Sequence, residues 1–318
     1  MRKKFLCLML ALTMAVSVTA CGKGKDVPSS QTGETTTEEK IEIVYENEYI
    51  KLANYKGLEY NSNPVEVVEA DITGNIESVV NQYYATINNN ATTTDATSTD
   101  AIYYDYKNIT DDMIKEATSG EYKTVSDYYN HVKEELTTQK ESEQNTTLNT
   151  ELFNKVCSNS ELVQSDEEIK SNELYKKYYD YSDDYYKEYA DYMGYEWKDF
   201  LENYIMAEDE AAYEEIISEE AKKNMKSQYV IEAIAENEGI TVDDSEIDSQ
   251  IQSYIDTGYY ETEEDVLTYI SRDDIKLNVM YYKVLDVIRN NAVDKSSSTV
   301  NAVDEDSATD AKTDTTEE

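Results

Sequence analysis

Only 2 prolines and 9 glycines punctuate the 318 residues of this chain. So few breakers exclude an architecture of many short strands and tight turns, and favour long helices. Cysteine is scarcer still, at 3. Cys7 lies in an N-terminal apolar run and Cys21 follows that run, which leaves Cys157 alone and no intrachain disulfide to form. With His131 as the single histidine, neither a His-based metal site nor a Ser-His-Asp triad has residues to spare. It stands among Tyr128, Tyr129 and Val132 and reads as a packing or surface residue. Phosphate loop, nucleophile elbow and CxxC pair are all missing. Asp180, Asp183 and Asp184 lack the glycine-centred loop that calcium coordination needs, so they read as a solvated helix face. We expect no catalytic residue, no metal and no cofactor.

Basic residues are also few. Lys+Arg number 28 against 68 Asp+Glu, a net charge of −40. Such a chain repels nucleic acid and anionic headgroups. Among aromatics, 3 Phe and 1 Trp stand against 30 Tyr. Tyrosine offers a large apolar face with a polar tip, so it can stay exposed and still contact greasy partners.

One apolar run does occur, Phe5 to Val18, behind the basic start Arg2, Lys3 and Lys4. It is short for a membrane span and has the flanks of a secretion signal. Val18-Thr19-Ala20-Cys21 closes it as a lipobox, and polar Gly22-Lys23-Gly24-Lys25 follows. The expectation is a lipoprotein signal peptide over residues 1–20, lipid attachment at Cys21, and a bacterial protein anchored on the outer face of the cell membrane.

Residues 21–40 read as a flexible tether. Residues 41–87 read as a short β segment plus a helix: strands over Ile41–Tyr45 and Tyr49–Leu52, an extended stretch around Gly57, then Ile72, Ile76, Val79, Val80, Tyr83 and Ile87 at helical spacing. Residues 88–108 read as a linker, and 292–318 as a disordered acidic tail.

Between them, 109–291 is helix after helix. Thr124 caps a long helix reaching Val156, and Ser165 to Glu168 is a capping box opening a Tyr-rich helix that ends near Gly194. A short helix holds Trp197, Phe200, Leu201 and Tyr204. The next runs from Glu208 to Glu238 and stops at Gly239. Asp243 with Glu246 and Thr262 with Asp265 open two more, and Leu277, Met280, Tyr281, Val284, Leu285 and Ile288 form the last apolar stripe.

The order of these pieces resembles trigger factor, the bacterial folding chaperone. Tyr55-Lys56-Gly57-Leu58-Glu59 is similar to the segment before that family's isomerase domain. Ile109-Thr110-Asp111-Asp112 with the Thr124 to Leu136 helix resembles the start of its C-terminal, SurA-like substrate-binding domain. Val230 to Val242 is similar to a helix end and turn there, and Lys283-Val284-Leu285-Asp286 to the last helix. The resemblance departs in two places. The family's ribosome-docking domain has the signal peptide in its place, and only linker-like residues stand where the isomerase domain would fall. Fewer than about 40 residues rarely fold unaided, so prolyl isomerase activity and ribosome binding are not expected.

The expected fold is therefore mainly α: an extended multi-helix chaperone-like domain with a short β segment near the N-terminus, a disordered tether and an acidic C-terminal tail. The tyrosines of residues 175–195 wrap around their helix, so not all can face one core. Tyr178, Tyr181, Tyr185, Tyr189, Tyr192, Met193, Trp197 and Phe200 are the candidate substrate-binding residues, since aromatic and Met surfaces adapt to varied apolar clients. The resemblance implies a holdase that needs no ATP, here acting on unfolded or newly secreted polypeptides. A scaffold or adhesin with one dedicated partner is the alternative. A solute-binding lipoprotein is disfavoured, because no alternating strand–helix pattern occurs.

Overall fold

The computed structural model of the chain describes residues 41–91 and 103–296. Residues 1–40, with the expected signal peptide, Cys21 and the tether, lie outside the described residues, as do 92–102 of the expected linker and the tail beyond Ser296. The fold is mainly helical with a few short strands, as composition and periodicity predict. It divides into two compact units.

The first unit holds residues up to Glu59 and Asn149–Val293. β1 (Ile43–Glu46) and β2 (Ile50–Ala53) form an antiparallel hairpin, with Asn47 Oδ1 accepting from the Tyr49 and Ile50 amides at the turn. β4 (Glu161–Leu162) adds to the other side of β2. Ile50, Leu52 and Ala53 are buried and pack on α7 (Glu210–Glu238), the longest helix lying wholly in this unit. Tyr49 stacks on Tyr229 of α7 with centroids 4.7 Å apart. At the far end of α7, Tyr55 hydrogen-bonds Glu238 and accepts from Asn237 Nδ2 at 2.6 Å.

α7 starts at the Asp209 cap and stops at Gly239, whose φ of 68° places it in the left-handed region. Around it lie α4 (Asp166–Ser171), α5 (Glu173–Met193), α6 (Trp197–Phe200), α8 (Asp244–Asp256), α9 (Glu263–Leu267) and α10 (Arg272–Asn290). Val242, Ile247, Ile251, Tyr254, Val266 and Ile275 close a small core among the last three helices.

The second unit holds residues 60–148 and those from Asp294 onward. α1 (Glu69–Ala91) packs Ile72, Ile76 and Val80 on α2 (Asp111–Ala117) and on Tyr128 and Val132 of α3 (Val125–Asn159). α3 gives its first part to this unit and its last part to the first unit, so the unit boundary crosses a helix that sequence reading keeps whole.

Three segments depart from the sequence expectation. Residues 88–91 fall in the expected linker, yet α1 runs on to Ala91. The sequence predicts a linker over 103–108, yet Glu77 Oε1 accepts the Tyr106 amide at 2.8 Å and Asn81 Oδ1 the Tyr104 amide at 2.7 Å, fixing these residues to α1. The sequence places 292–296 at the start of the tail, yet they contain β5 (Val293–Asp294), which is sheeted with β3 (Glu59–Tyr60). Within the second unit, Asp294 takes hydrogen bonds from the Ser62 and Ser296 hydroxyls and amides, which hold its carboxyl far below the usual range.

Candidate functional site

Sequence dictates a helical arm here, and the structure sets which of its rings are used up inside it. The Ser165 capping box forms: Glu168 Oε2 accepts the Ser165 amide at 2.8 Å and Ser165 Oγ the Glu168 amide at 3.4 Å. The Tyr-rich helix does not run on from it unbroken. Asn172 caps a new helix, with Oδ1 accepting the Leu174 amide at 2.8 Å, so α4 and α5 are separate. α5 ends at Gly194, with φ 72°, and the chain turns through α6 and a wide π-type turn, Leu201–Ile205, back into α7.

α5 and α7 then lie side by side. Tyr175, Ser182 and Ala190 are buried along the contact. Polar tips facing α7 find partners: Tyr178 donates to Gln228 (2.8 Å), Tyr186 to Glu220 (2.9 Å), and Tyr213 of α7 donates back to Asp183 (2.9 Å). Burial first, then nearby carboxylates, pushes all three phenols above the usual tyrosine range. Burial also raises the Glu220 carboxyl. These phenols serve as hydrogen-bond donors, and none is poised as a base.

Phe200 is the hub of the arm's end. It is fully buried, with Tyr189, Tyr195, Trp197 and Tyr204 rings within 4.8–6.2 Å. The expectation that Phe200 faces a client is therefore corrected: four surrounding rings leave it no surface to offer. Tyr185 stacks on Tyr189 at 6.0 Å, and Tyr178, Tyr181, Tyr185, Tyr189 and Trp197 are half-buried. Of the eight arm residues named from sequence, Tyr192 and Met193 are the ones that stand exposed, at 50% and 48%.

Three exposed neighbours were missed. Tyr195 and Tyr204 are 45% and 50% exposed, and Met206 is 77% exposed. Met206 adopts φ 62°, a left-handed conformation rare outside glycine, and so projects where the chain reverses. The available signal was Gly194 itself: a helix stop inside an aromatic run marks the tip of a hairpin. Large apolar side chains grouped at such a tip make it the candidate interaction site.

Met206 also lines a cleft of about 1200 Å³. Leu162, Ile169, Ala207 and Ile216 form its apolar lining, and Lys222, Lys223 and Lys226 stand at one side among glutamates. Lys222 pairs with Asp166 at 2.8 Å, while burial lowers the pKa of Lys226. Its volume is enough for a few side chains of an extended chain. Among the described residues no group of His, Cys, Asp and Glu is arranged to hold a metal, and no helix is long and apolar enough to cross a membrane.

Comparison with known proteins agrees with this architecture. Residues 124–290, more than half of the chain, match the family described as bacterial trigger factor protein (TF) C-terminus. A trigger factor of Halothermothrix orenii is 31% identical over 182 residues, covering 56% of this chain and 40% of that protein. One of Staphylococcus saprophyticus is 27% identical over 188 residues, covering 58% and 41% respectively. The chain thus spans about two fifths of the length of these relatives.

Proposed function

The chain belongs to the bacterial trigger factor C-terminus family, and from that premise we propose that it is a lipid-anchored chaperone holding unfolded polypeptides outside the cytoplasm without ATP. The observation that carries the reading is the exposed group Tyr192, Met193, Tyr204 and Met206 at the arm's end, continuous through Met206 with the apolar cleft. Rings and thioethers adapt to clients of varied shape at small entropic cost. The buried rings behind them, centred on Phe200, keep the presenting surface rigid.

The acidic surface keeps a loaded chaperone soluble. The lipobox ending at Cys21 supports attachment to the membrane face where secreted chains emerge. The matched segment is the family's C-terminus rather than its isomerase domain, so the reading assigns binding and no bond chemistry.

The test is suppression of aggregation of several unrelated unfolded proteins by the form lacking residues 1–21, without ATP. Protection of most clients near equal molar ratio is the expected result. Protection of none would shift the assignment to a scaffold with one dedicated partner.

A further inference from the structure

The three-stranded sheet of the first unit has order β1-β2-β4, so among the described residues β1 pairs on one side only. The outer side of an edge strand carries unpaired N–H and C=O groups, which proteins guard with proline, lysine, short strand length, a bulge or a covering element. β1 reads Ile43-Val44-Tyr45-Glu46 and has neither residue, and among the described residues nothing pairs with its outer side. Ile41, Ile43 and Val44 are 49%, 40% and 38% exposed. β-branched residues on a half-covered strand are good cross-strand partners.

The strand is held in place. Tyr45 donates to Glu236 of α7 at 2.5 Å, and the Asn54 amide donates to the Glu42 carbonyl at 2.8 Å. The register shifts between Ile43 and Tyr45, so Val44 is the extra residue of a bulge. The bulge and the four-residue length restrict any pairing on this edge to a short guest.

Charge selects the guest. Glu42 and Glu46 flank the exposed apolar residues, and both are exposed. Two copies of β1 paired antiparallel would set these carboxylates against each other, and like charges across a pair destabilise it. A basic guest strand turns the same contacts into attraction.

We infer that β1 is a strand-addition site for an extended segment of alternating apolar and basic residues, contributed by a different protein. The inference rests on the sheet edge and stands independently of the arm.

The test uses the full chain and a labelled peptide of alternating valine and lysine, about six residues long. Anisotropy gives affinity, and ¹³C-carbonyl infrared bands of the peptide report strand formation. Ile43→Ser with Val44→Ser is charge-neutral, so general attraction to the acidic chain survives it while edge pairing does not. The expected result is about tenfold weaker binding and loss of the strand band. Should the double variant unfold, Ile41→Ser, outside the strand, gives the reading with a smaller loss. Equal affinity for a valine–glutamate peptide, or no change in either edge variant, overturns the inference. A dimer that dissociates in the double variant would overturn it in favour of a second copy. Tighter peptide binding after deleting residues 22–40 would assign the edge to the chain's own preceding segment.

Discussion

Tyr213 on α7 donates its hydroxyl to Asp183 on α5 at 2.9 Å, from a ring only 1% exposed. Lys187 holds the other oxygen of Asp183 at 2.7 Å. A buried phenol thereby joins the two long helices of the arm through a carboxylate that is already paired. Tyr213→Phe keeps the ring, removes the bond and leaves Asp183 with Lys187. The expected cost is about 1–2 kcal/mol. It should appear as a lower thermal midpoint by circular dichroism, with aggregation suppression at low temperature unchanged.

Buried tyrosines make alkaline stability a sharp test of the packing. Burial first, then the bond to Glu238, pushes Tyr55 up to about 12, and burial, then Tyr282 and Cys157, does the same for Tyr281. A raised folded-state pKa means the unfolded chain releases its protons first. The stability these phenols contribute is fully present below the ordinary value of about 10 and is lost as pH rises toward about 12. Unfolding followed by ellipticity should coincide with a late, steep rise in tyrosinate absorbance. Complete tyrosinate formation below about pH 11 with no structural loss would contradict the burial.

Much of this fold was legible because helix ends are local chemistry. The boxes at Ser165–Glu168 and Asp243–Glu246, the Thr124 and Thr262 caps, and the stops at Gly194 and Gly239 all form at the expected positions. What depends on distant partners was not legible. Asn172 breaks the Tyr-rich helix partly because Tyr229, 57 residues away, and Gln164 take its amide. Helical spacing cannot say that Tyr189 and Tyr204 converge on Phe200, so that residue was placed on the surface. Met206 was overlooked because a non-glycine residue gives no warning of a left-handed conformation.

Gly194 isolates the backbone contribution at the arm's turn. It has φ 72°, and a Cβ built there meets nothing within 4 Å. Gly194→Ala therefore costs only the strain of a left-handed residue with a side chain, about 1 kcal/mol. Denaturant unfolding should show a lower midpoint with an unchanged slope. A loss of several kcal/mol would contradict the open space around Gly194.

Cys157 should be chemically silent in the folded protein. Its sulfur faces the buried Ser227 hydroxyl at 3.9 Å, and burial pushes the thiol up to about 12. Thiolate is the reactive form, so at pH 8 almost none is present. In the form lacking residues 1–21, Cys157 is the only cysteine. Alkylation should be negligible in buffer and complete in denaturant, with its onset tracking unfolding. Rapid labelling of the native protein would refute the packing of α3 on α7.

The arm's surface calls for variants chosen by exposure rather than by tyrosine density. Changing Tyr185 and Tyr189 to serine would breach the stack around Phe200, and lost binding could then reflect lost structure. Tyr192→Ser, Met193→Ser, Tyr204→Ser and Met206→Ser remove side chains between 48% and 77% exposed, so the combined variant should lose little stability. Tyr204 carries the main risk, since its ring lies 4.8 Å from that of Phe200. A triple variant that retains Tyr204 controls for it. Client affinity should fall about tenfold, the loss of one or two well-buried apolar contacts, while helicity is kept. Phe200→Ala should do the reverse of the surface set. It removes a fully buried ring at about 3–5 kcal/mol and lowers the thermal midpoint first, with binding failing only as the arm unfolds. Unchanged client affinity in the folded surface variant would exclude the arm's end as the holding surface and leave the cleft beside Met206 as the site to probe next.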